Sequence, residues 1–478
     1  MSEPFEIGLT FDDVLLVPRR SGVSTRQQVD TRTQLCRGIT LAIPIVSASM
    51  DTVTEARMAS EIAREGGIGI IHRFLPIEEH VAEVRRVKRA ESVVIDNPFT
   101  LGPEATVRHA AAFMQEHGSA GVLVIDRQRR LLGIVTARDV LFEDQPDRPI
   151  TAIMTPRERL VTAPAGTPVE EAKQILHRHR VEKLPLVDPE GRLVGLVTSR
   201  DIQSRLKYPN ATKDQKGRLR VGAAIGVRGD YLERAEALAA EEVDVLVIDI
   251  AHGHSNLAVR TVEAIRPRCP DVSLIVGNVA TADGTRDLIA AGADGVKVGV
   301  GPGSTCTTRV VTGAGVPQMT AILDCASAAA SAGVPIIADG GIRGSGDLVK
   351  ALAAGAHSAM LGNLLAGTEE SPGATVSRGG RQYKVYRGMA SLWTSAERRD
   401  MPQEDDLLSE IVPEGIEAMV PYRGMVAAVV GQLIGGLRSG MSYCGATTIA
   451  ELRANARFIR VTEAGVREGM PHDVDPLS

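Results

Sequence analysis

The sequence has few cysteines, no long apolar run and no large excess of charge. Its five cysteines include no CxxC pair, which favours a reducing compartment over secretion. The longest apolar patch, residues 425–437, is interrupted by Gln432 and glycines, and residues 1–6 lack a basic region followed by an apolar core. We therefore expect no membrane span, no signal peptide and a cytoplasmic location. With 54 basic and 59 acidic residues, the net charge of −5 argues against binding to nucleic acid.

The length and overall composition indicate a soluble protein with more than one domain. The chain of 478 residues is longer than one compact core usually grows. Apolar residues make up 44% and charged residues 24% of it, as in ordinary globular proteins. We expect a large domain and a smaller one.

Eight short apolar runs predict buried parallel strands. They span residues 43–47, 68–71, 221–225, 245–249, 274–277, 296–299, 336–339 and 358–361. Helical patterns follow most of them, for example at residues 231–240, 256–265, 285–291 and 346–354. This alternation predicts an α/β fold, a closed (β/α)8 TIM barrel, with a doubly wound open sheet as the alternative.

The segment between the second and third strands, residues 96–206, contains an internal repeat. Residues 121–126 and 132–139 have counterparts at residues 184–188 and 194–201, and both copies end in Thr-x-Arg-Asp. Two copies predict a pseudo-symmetric pair. In each copy the threonine and aspartate can bind the ribose of a nucleotide or can cap a helix; these residues are Thr136, Asp139, Thr198 and Asp201.

The repeated pattern resembles tandem CBS domains, which implies regulatory binding of ATP or GTP. Three parts of the chain follow from this resemblance. Residues 1–95 form the N-terminal part of the barrel, residues 96–206 form the CBS pair, and residues 207–478 complete the barrel.

A cysteine in a glycine-rich loop is the strongest candidate for chemistry. The segment GVGPGSTCTTR, residues 299–309, follows the sixth apolar run and places hydroxyls and exposed backbone N–H groups around Cys306. A thiolate needs such donors to lower its pKa, so we predict that Cys306 is a nucleophile rather than a small buried apolar residue. Cys325, within the helical pattern of residues 318–332, is expected in the core.

The residues that follow the other strands are candidates for ligand binding, because barrel active sites lie at the C-terminal strand ends. Asn278 can offer an amide to a ligand or form a turn, and Asp339 can bind ribose hydroxyls or cap the next segment. The loops after the last two strands are expected to bind phosphate, so the barrel suits a nucleoside monophosphate. His252 and His254 lack an evident third metal ligand, which favours packing or hydrogen bonding for them.

Several motifs along nearly the whole chain resemble the inosine monophosphate dehydrogenase and guanosine monophosphate reductase family. They are LTFDDVLL at residues 9–16, SMDTVTE at 49–55, the cysteine loop at 299–309, DGGI at 339–342, YRGM at 386–389 and VPEG at 412–415. In both reactions of this family the cysteine adds to C2 of a purine nucleotide. The dehydrogenase then transfers hydride to NAD⁺ and hydrolyses the intermediate with an Arg-Tyr pair on a flap. The reductase instead releases ammonia from GMP and uses NADPH to form IMP.

The flap sequence favours the reductase. The corresponding segment is expected at residues 394–413, where Arg398 and Arg399 are followed by no tyrosine in RRDMPQ, residues 398–403. The inserted CBS pair and the SASM segment, residues 47–50, are more typical of dehydrogenases. We expect a GMP reductase, with IMP dehydrogenase or a non-catalytic nucleotide sensor as alternatives.

The resemblance also implies roles for individual residues. Thr308 and Glu414 would serve the ammonia step beside Cys306. Substrate contacts would come from Ser49, Ser304, Asp339, Gly341, Gly362, Asn363, Tyr386, Gly388, Met389 and Ser391. Asn363 departs from the serine or glycine of the family at a phosphate contact.

Cofactor, cation and assembly are implied in the same way. NADPH, or alternatively NAD, would lie near Asp249, Asn278 and Gly299. The family's monovalent-cation site, for which K⁺ is suited, would use carbonyl groups of Gly301, Gly303 and Cys306 with Glu468 of the partner subunit. A homotetramer is expected, with an octamer as the alternative.

Overall fold

The chain folds into two compact units. The computed structural model describes residues 5–91, 95, 98–391 and 412–474, without the side chains of Asp201, Ser204 and Arg205. The barrel unit comprises Met1–Ala90, Asn210–Asp214 and Leu219–Ser478. The inserted unit comprises Glu91–Pro209 and Gln215–Arg218.

Eight parallel strands close into a barrel. In chain order they are Ile45–Ser47, Ile68–Ile71, Gly222–Ile225, Val245–Asp249, Ser273–Val279, Gly295–Val298, Ile336–Asp339 and Ser358–Leu361. The eighth strand pairs with the first, so that Ala359 lies opposite Ile45. The predicted TIM barrel is therefore confirmed, and the alternative of an open sheet is wrong.

The barrel strands form because their residues are apolar on both faces. Leu246, Val247, Val276, Ile336 and Ile337 have no accessible surface. One set of side chains fills the barrel interior while the other packs beneath the helices, which is why the strands read as continuous apolar runs.

Helices surround the barrel in the predicted alternation. They are Ala56–Arg64, Ile77–Ala90, Tyr231–Ala240, Asn256–Ile265, Ala282–Ala291, Thr308–Thr312, Gln318–Ala330, Ser345–Ala353 and Asn363–Ala366. Two begin at hydroxyl caps, because Ser255 accepts from the N–H of Ala258 and Thr281 accepts from the N–H of Gly284. The cap at Thr281 starts its helix three residues before the predicted position.

Further elements of the barrel unit lie at its ends. Val14–Leu16 pairs with Phe458–Arg460, and Thr33–Cys36 pairs with Ile39–Leu41. A three-stranded antiparallel sheet comprises Thr375–Arg378, Arg381–Arg387 and Glu417–Pro421. The C-terminal helices are Val426–Tyr443, Ile449–Asn455 and Glu463–Glu468. In the part of the chain that the structure describes, no helix is long and apolar enough to cross a membrane.

The inserted unit contains the order strand, helix, strand, strand, helix twice, and the first copy has one further strand. The first copy has strands Thr100–Leu101, Gly121–Ile125, Leu131–Thr136 and Thr155–Pro156, with helices Val107–His117 and Ala137–Leu141. The second has strands Ala163–Pro164, Lys183–Val187 and Leu193–Thr198, with helices Val169–His179 and Ser199–Lys207. In both copies the first strand is parallel to the second, and the second and third form an antiparallel hairpin.

The two hairpins of the inserted unit have matching turns. Arg130 donates to Asp126 from its backbone N and its Nε at 2.8 and 2.7 Å, and Arg192 makes the same two bonds to Asp188 at the same distances. Leu123, Leu131, Ile134, Leu193 and Leu196 form one apolar cluster between the copies. The internal repeat of the sequence is thus a pseudo-symmetric pair in the structure.

Candidate active site

The cysteine loop follows the sixth barrel strand, at the end where barrel active sites are built. A Cβ atom placed on Gly299 would lie 2.0 Å from the carbonyl oxygen of Asp339, and the φ of Gly299 is +149°. Only glycine permits this approach between the ends of the sixth and seventh strands. The loop is also tied back by Arg309, whose Nε donates to the carbonyl of Val300 at 3.1 Å.

Three predicted catalytic residues form one hydrogen-bonded chain. The thiol of Cys306 donates to Thr308 Oγ1 at 3.2 Å, and that hydroxyl donates to Glu414 Oε2 at 2.7 Å. The backbone supports the chain, because the N–H of Thr307 donates to the Glu414 carbonyl at 2.8 Å and the N–H of Ile416 donates to the Thr305 carbonyl at 2.9 Å. A proton can therefore move between the thiol and the carboxylate through a single hydroxyl.

Cys306 differs from the other cysteines in its exposure. Cys36, Cys269, Cys325 and Cys444 are buried, whereas Cys306 is partly accessible. Cys325 is a buried residue of the helix Gln318–Ala330, as its helical pattern predicts. The accessible thiol is the one that a ligand can reach.

Predicted substrate residues converge beside the cysteine loop. Tyr386 is 3% exposed, its hydroxyl lies 3.7 Å from Met50 Sδ, and Ser304 is near enough to act on the pKa of its phenol. Burial raises the pKa of Tyr386, so its phenol is a neutral donor at ordinary pH. A Cβ atom on Gly362 would lie 2.7 Å from the Tyr386 hydroxyl, which explains why glycine occupies that position.

Other predicted substrate residues lie on tight turns near this point. Gly388 donates its N–H to the Ile416 carbonyl at 3.0 Å, and the N–H of Ser391 donates to the Gly388 carbonyl at 3.1 Å. Met389 lies between them. Gly341 has a φ of +80°, and Asn363 begins the short helix after Gly362. Their contacts to a phosphate stay predictions.

A buried lysine connects two of the predicted carboxylates, and the sequence analysis missed it. Lys297 Nζ lies 3.0 Å from Asp249 Oδ1 and 2.7 Å from Asp339 Oδ2. Ser49 donates to Asp249 Oδ2 at 2.7 Å, and Asn278 Nδ2 donates to Asp339 Oδ2 at 3.0 Å. The available signal was one cationic residue within an otherwise apolar strand.

The charges of this network support one another. Burial opposes the charge on Lys297, but Asp249 and Asp339 outweigh that effect and raise the pKa of its ammonium. Burial also acts against ionisation of Asp249, yet Lys297, the Ser49 hydroxyl and the more distant charge of Arg73 hold its pKa below the ordinary value. The site therefore favours a charged Lys297 beside an ionised Asp249.

The site offers an acceptor that suits a nicotinamide. Asn278 Nδ2 donates to the Gly299 carbonyl at 2.7 Å as well as to Asp339, while its Oδ1 is buried with no hydrogen-bond partner among the described residues. A carboxamide N–H is the kind of donor that such an oxygen lacks. The residues present are thus compatible with a nicotinamide cofactor.

Metal ligation by histidine is not supported. Within residues 5–91, 95, 98–391 and 412–474, no group of three or more His, Cys, Asp or Glu side chains could hold a metal ion. His254 Nε2 instead lies 2.9 Å from Asp287 Oδ2. The K⁺ site predicted at loop carbonyl groups and at Glu468, an exposed residue, stays a prediction.

In the inserted unit, Thr136 and Asp139 form a helix cap. Thr136 Oγ1 donates to Asp139 Oδ2 at 2.7 Å and accepts from the Asp139 N–H at 3.4 Å. Thr198 ends the equivalent strand, and the side chain of Asp201 lies outside the described set. The cap does not preclude nucleotide binding, which stays a prediction. Most of the expected flap, residues 394–413, also lies outside the described residues.

Comparisons with known proteins agree with the fold and the site. The family model described as the IMP dehydrogenase / GMP reductase domain matches residues 8–472. Inosine-5'-monophosphate dehydrogenases of Nitrosopumilus maritimus and Aquifex aeolicus are 54% and 56% identical to the chain, covering 98% of it and 99% and 96% of themselves.

A cysteine-to-alanine variant of GMP reductase from Trypanosoma brucei, solved with guanosine 5'-monophosphate, is 44% identical. It superimposes with a TM-score of 0.93 over 99% of both chains. The chain therefore belongs to the IMP dehydrogenase and GMP reductase family.

Proposed function

We propose that this protein is a GMP reductase, which converts GMP to IMP and ammonia with NADPH. The observation that carries the proposal is the lack of an Arg-Tyr pair at residues 398–403, which hydrolysis of the covalent intermediate needs. The hydrogen-bonded chain from Cys306 through Thr308 to Glu414, at 3.2 and 2.7 Å, supplies the proton transfers that reductive deamination needs.

The residues can carry out the reaction as follows. The Cys306 thiol passes its proton through Thr308 to Glu414, and its sulfur bonds to C2 of GMP. Glu414 returns the proton through Thr308 to the amino group on C2, and the C2–N bond breaks as ammonia leaves. NADPH, when bound, supplies the hydride that C2 receives. The C2–S bond then breaks, and the thiolate and IMP are released.

The balance of this reaction is GMP, NADPH and two protons giving IMP, NADP⁺ and ammonium. Asn278 and Asp249 are proposed to orient the nicotinamide beside the purine, while Asp339 binds the ribose. The phosphate is proposed to bind at Ser304, Gly341, Gly362, Gly388 and Ser391. Because each of these groups only orients a reactant, their loss should raise KM more than it alters the chemistry.

The choice between the two family reactions depends on the fate of the covalent intermediate. Hydrolysis requires a base to activate water, and the arginines at residues 398–399 are poor bases without an adjacent tyrosine. The inserted unit does not argue against a reductase, because the Trypanosoma brucei GMP reductase aligns over 99% of both chains. Losing the base would impair hydrolysis whatever the domain content.

IMP dehydrogenase is the second candidate. Relatives with that name are more similar overall, at 54% and 56% identity, than the reductase at 44%. Overall identity reports mainly on the scaffold, which both reactions share, so we give it less weight than the flap sequence. The third possibility, a nucleotide sensor without catalysis, would require Cys306 to be dispensable.

Turnover assays separate these functions. The purified chain is incubated with GMP and NADPH, and separately with IMP and NAD⁺, while nicotinamide absorbance is followed. We expect turnover with GMP and NADPH, none after Cys306→Ala, and retained GMP binding in that variant. Turnover only with IMP and NAD⁺ would show a dehydrogenase, and no turnover in either mixture would favour the sensor.

We further propose that the inserted unit is a CBS pair that binds ATP or GTP. Its repeated strand-helix order supports this, and a Trypanosoma brucei GMP reductase that is 42% identical, with a TM-score of 0.83, was solved with guanosine 5'-triphosphate. A homotetramer or octamer, a K⁺ ion near Gly301 and Gly303, and a cytoplasmic location complete the proposal.

A further inference from the structure

Lys297 is a buried cation shared by carboxylates of two different barrel strands. It is 2% exposed, and its ammonium contacts Asp249 at the end of the fourth strand and Asp339 at the end of the seventh. The lysine itself belongs to the sixth strand, Gly295–Val298. One side chain therefore connects the carboxylate assigned to the cofactor side with the carboxylate assigned to the ribose.

The fifth strand packs closely against the backbone at Lys297. Gly277 of the fifth strand lies opposite Lys297 in the parallel register. A Cβ atom on Gly277 would lie 2.6 Å from the Lys297 Cβ and 2.7 Å from its carbonyl oxygen. A larger residue at position 277 would therefore displace the sixth strand at the point that carries the lysine.

The hydrogen bonds leave Asp339 available to a ligand. Within the described part of the chain, Lys297 and the Asn278 amide both donate to Asp339 Oδ2. Its other oxygen can then accept hydroxyl groups. Arg73 also acts on Asp249 through its charge, and Tyr386 is close enough to respond to the charges of Asp339 and Cys306.

We propose that Lys297 is a positioning residue for the purine nucleotide, holding the carboxyl group of Asp339 oriented to bind the ribose. The inference rests on the proposed function only in taking that ribose as the ligand of Asp339. Lys297 and the Asn278 amide together fix Asp339 Oδ2, and Lys297 also anchors Asp249 on the other side. Without Lys297 the Asp339 carboxyl group would keep one of these two donors, would be held less firmly and would bind ribose hydroxyls less well.

The test is equilibrium binding of GMP and of IMP to the full chain, by calorimetry, for Lys297→Met. We expect nucleotide affinity to fall roughly 10- to 100-fold at neutral pH. The loss should grow as pH decreases, since Lys297 lowers the pKa of Asp249, and without it Asp249 can take up a proton and donate it to Asp339 in place of a ribose hydroxyl. Affinity of the parent protein should be much less sensitive to pH over the same range. If Lys297→Met bound both nucleotides with the affinity and the pH dependence of the parent, the proposal would be overturned.

The chain provides a matched control at the opposite end of the barrel. Lys88 is 4% exposed and also contacts two carboxylates, Asp214 at 3.1 Å and Asp244 at 2.6 Å. Lys88→Met should destabilise the fold to a similar degree and leave nucleotide affinity and its pH dependence unchanged. An equal loss of affinity in both variants would reduce Lys297 to a structural residue and contradict the proposal.

A charge-balanced double variant keeps the test decisive if Lys297→Met does not fold. In Lys297→Met combined with Asp249→Asn, one cation and one anion are removed together, so no group at position 249 can take up a proton as pH falls. We expect the double variant to bind GMP and IMP with little dependence on pH. Strong loss of affinity at low pH in the double variant would overturn the mechanism. Both nucleotides bind in either family reaction, so a wrong assignment as a reductase would alter turnover but not this result.

Discussion

At the scale of single residues, the proposed chemistry depends on Thr308. Its hydroxyl accepts from the Cys306 thiol and donates to the Glu414 carboxylate, at 3.2 and 2.7 Å. Thr308 is the hydroxyl that joins these two proposed catalytic groups. A hydroxyl that is acceptor and donor at once can pass a proton in either direction, whereas an apolar side chain of the same shape cannot.

Thr308→Val should therefore abolish the proton path without disturbing packing. We expect kcat for NADPH oxidation with GMP to fall about 10²- to 10⁴-fold, while GMP binding changes little. The measurement is steady-state turnover at saturating GMP together with equilibrium binding.

The neighbouring Thr307 provides the control for this prediction. It is also a β-branched hydroxyl residue in the loop, and its side chain makes no capping hydrogen bond to the following helix. Thr307→Val should keep most of the activity. If the Thr308→Val variant converted GMP at a rate near that of the parent, the proposed proton path through Thr308 would be wrong.

At the scale of strands and helices, the sequence predicts the barrel well because its strands are buried on both faces. The run at residues 336–339 coincides with Ile336–Asp339, and the run at residues 245–249 coincides with Val245–Asp249. The largest errors are at strand ends, for example Ser273–Val279 against the predicted residues 274–277. Apolar periodicity reports burial, and it weakens at strand ends, where polar residues begin.

The site was less predictable because its contacts are long-range. Cys306 and the loop glycines could be recognised locally, but Thr308 and Glu414 are 106 positions apart and meet only in the fold. Lys297 was not predicted as a site residue, because a lysine in a strand usually points to solvent and its two partners lie on other strands. Sequence likewise left open whether Thr136 caps a helix, which the structure shows that it does.

A buried histidine between the seventh and eighth barrel strands should make the stability of the fold depend on pH. The Ile336 N–H donates to His357 Nδ1 at 3.2 Å, and burial, with the charge of Arg453, lowers the pKa of His357 from 6.5 to about 4. The folded state thus favours neutral His357, so the full stability is present above pH 6.5 and is lost as pH falls toward 4. The linkage amounts to at most about 3 kcal/mol.

His357→Gln should reduce this loss, because glutamine can accept the same hydrogen bond but does not titrate. The measurement is the midpoint of thermal unfolding at several pH values between neutrality and the acidic range. The exposed His109 provides the control, since His109→Gln should leave the pH dependence unchanged. An identical pH dependence in His357→Gln and the parent would show that this histidine is not the cause.

At the scale of the whole molecule, the chain is two folding units with separate cores. The apolar core of the barrel unit includes Val87 and resumes at Leu219, while the inserted unit has three apolar clusters of its own. The hydrogen-bonded residues Cys306, Thr308 and Glu414 and the Lys297 network lie entirely in the barrel unit. Chemistry and any nucleotide response are thus assigned to different parts of the protein.

Replacing residues 91–209 by a short Gly/Ser linker should therefore separate activity from regulation. We expect the rate of NADPH oxidation with GMP by the shortened chain to be within about 10-fold of the parent's rate. Its site keeps Cys306, Thr308 and Glu414 as well as the Lys297 network. We expect ATP and GTP, which should alter turnover of the full chain, to have no effect on the shortened one.

The full chain carrying Thr136→Val and Thr198→Val tests the same point without a deletion, since it should keep basal turnover and lose the response. A shortened chain that is folded by circular dichroism but inactive would show that the inserted unit contributes to catalysis itself, and a nucleotide response that survives the deletion would place the regulatory site in the barrel.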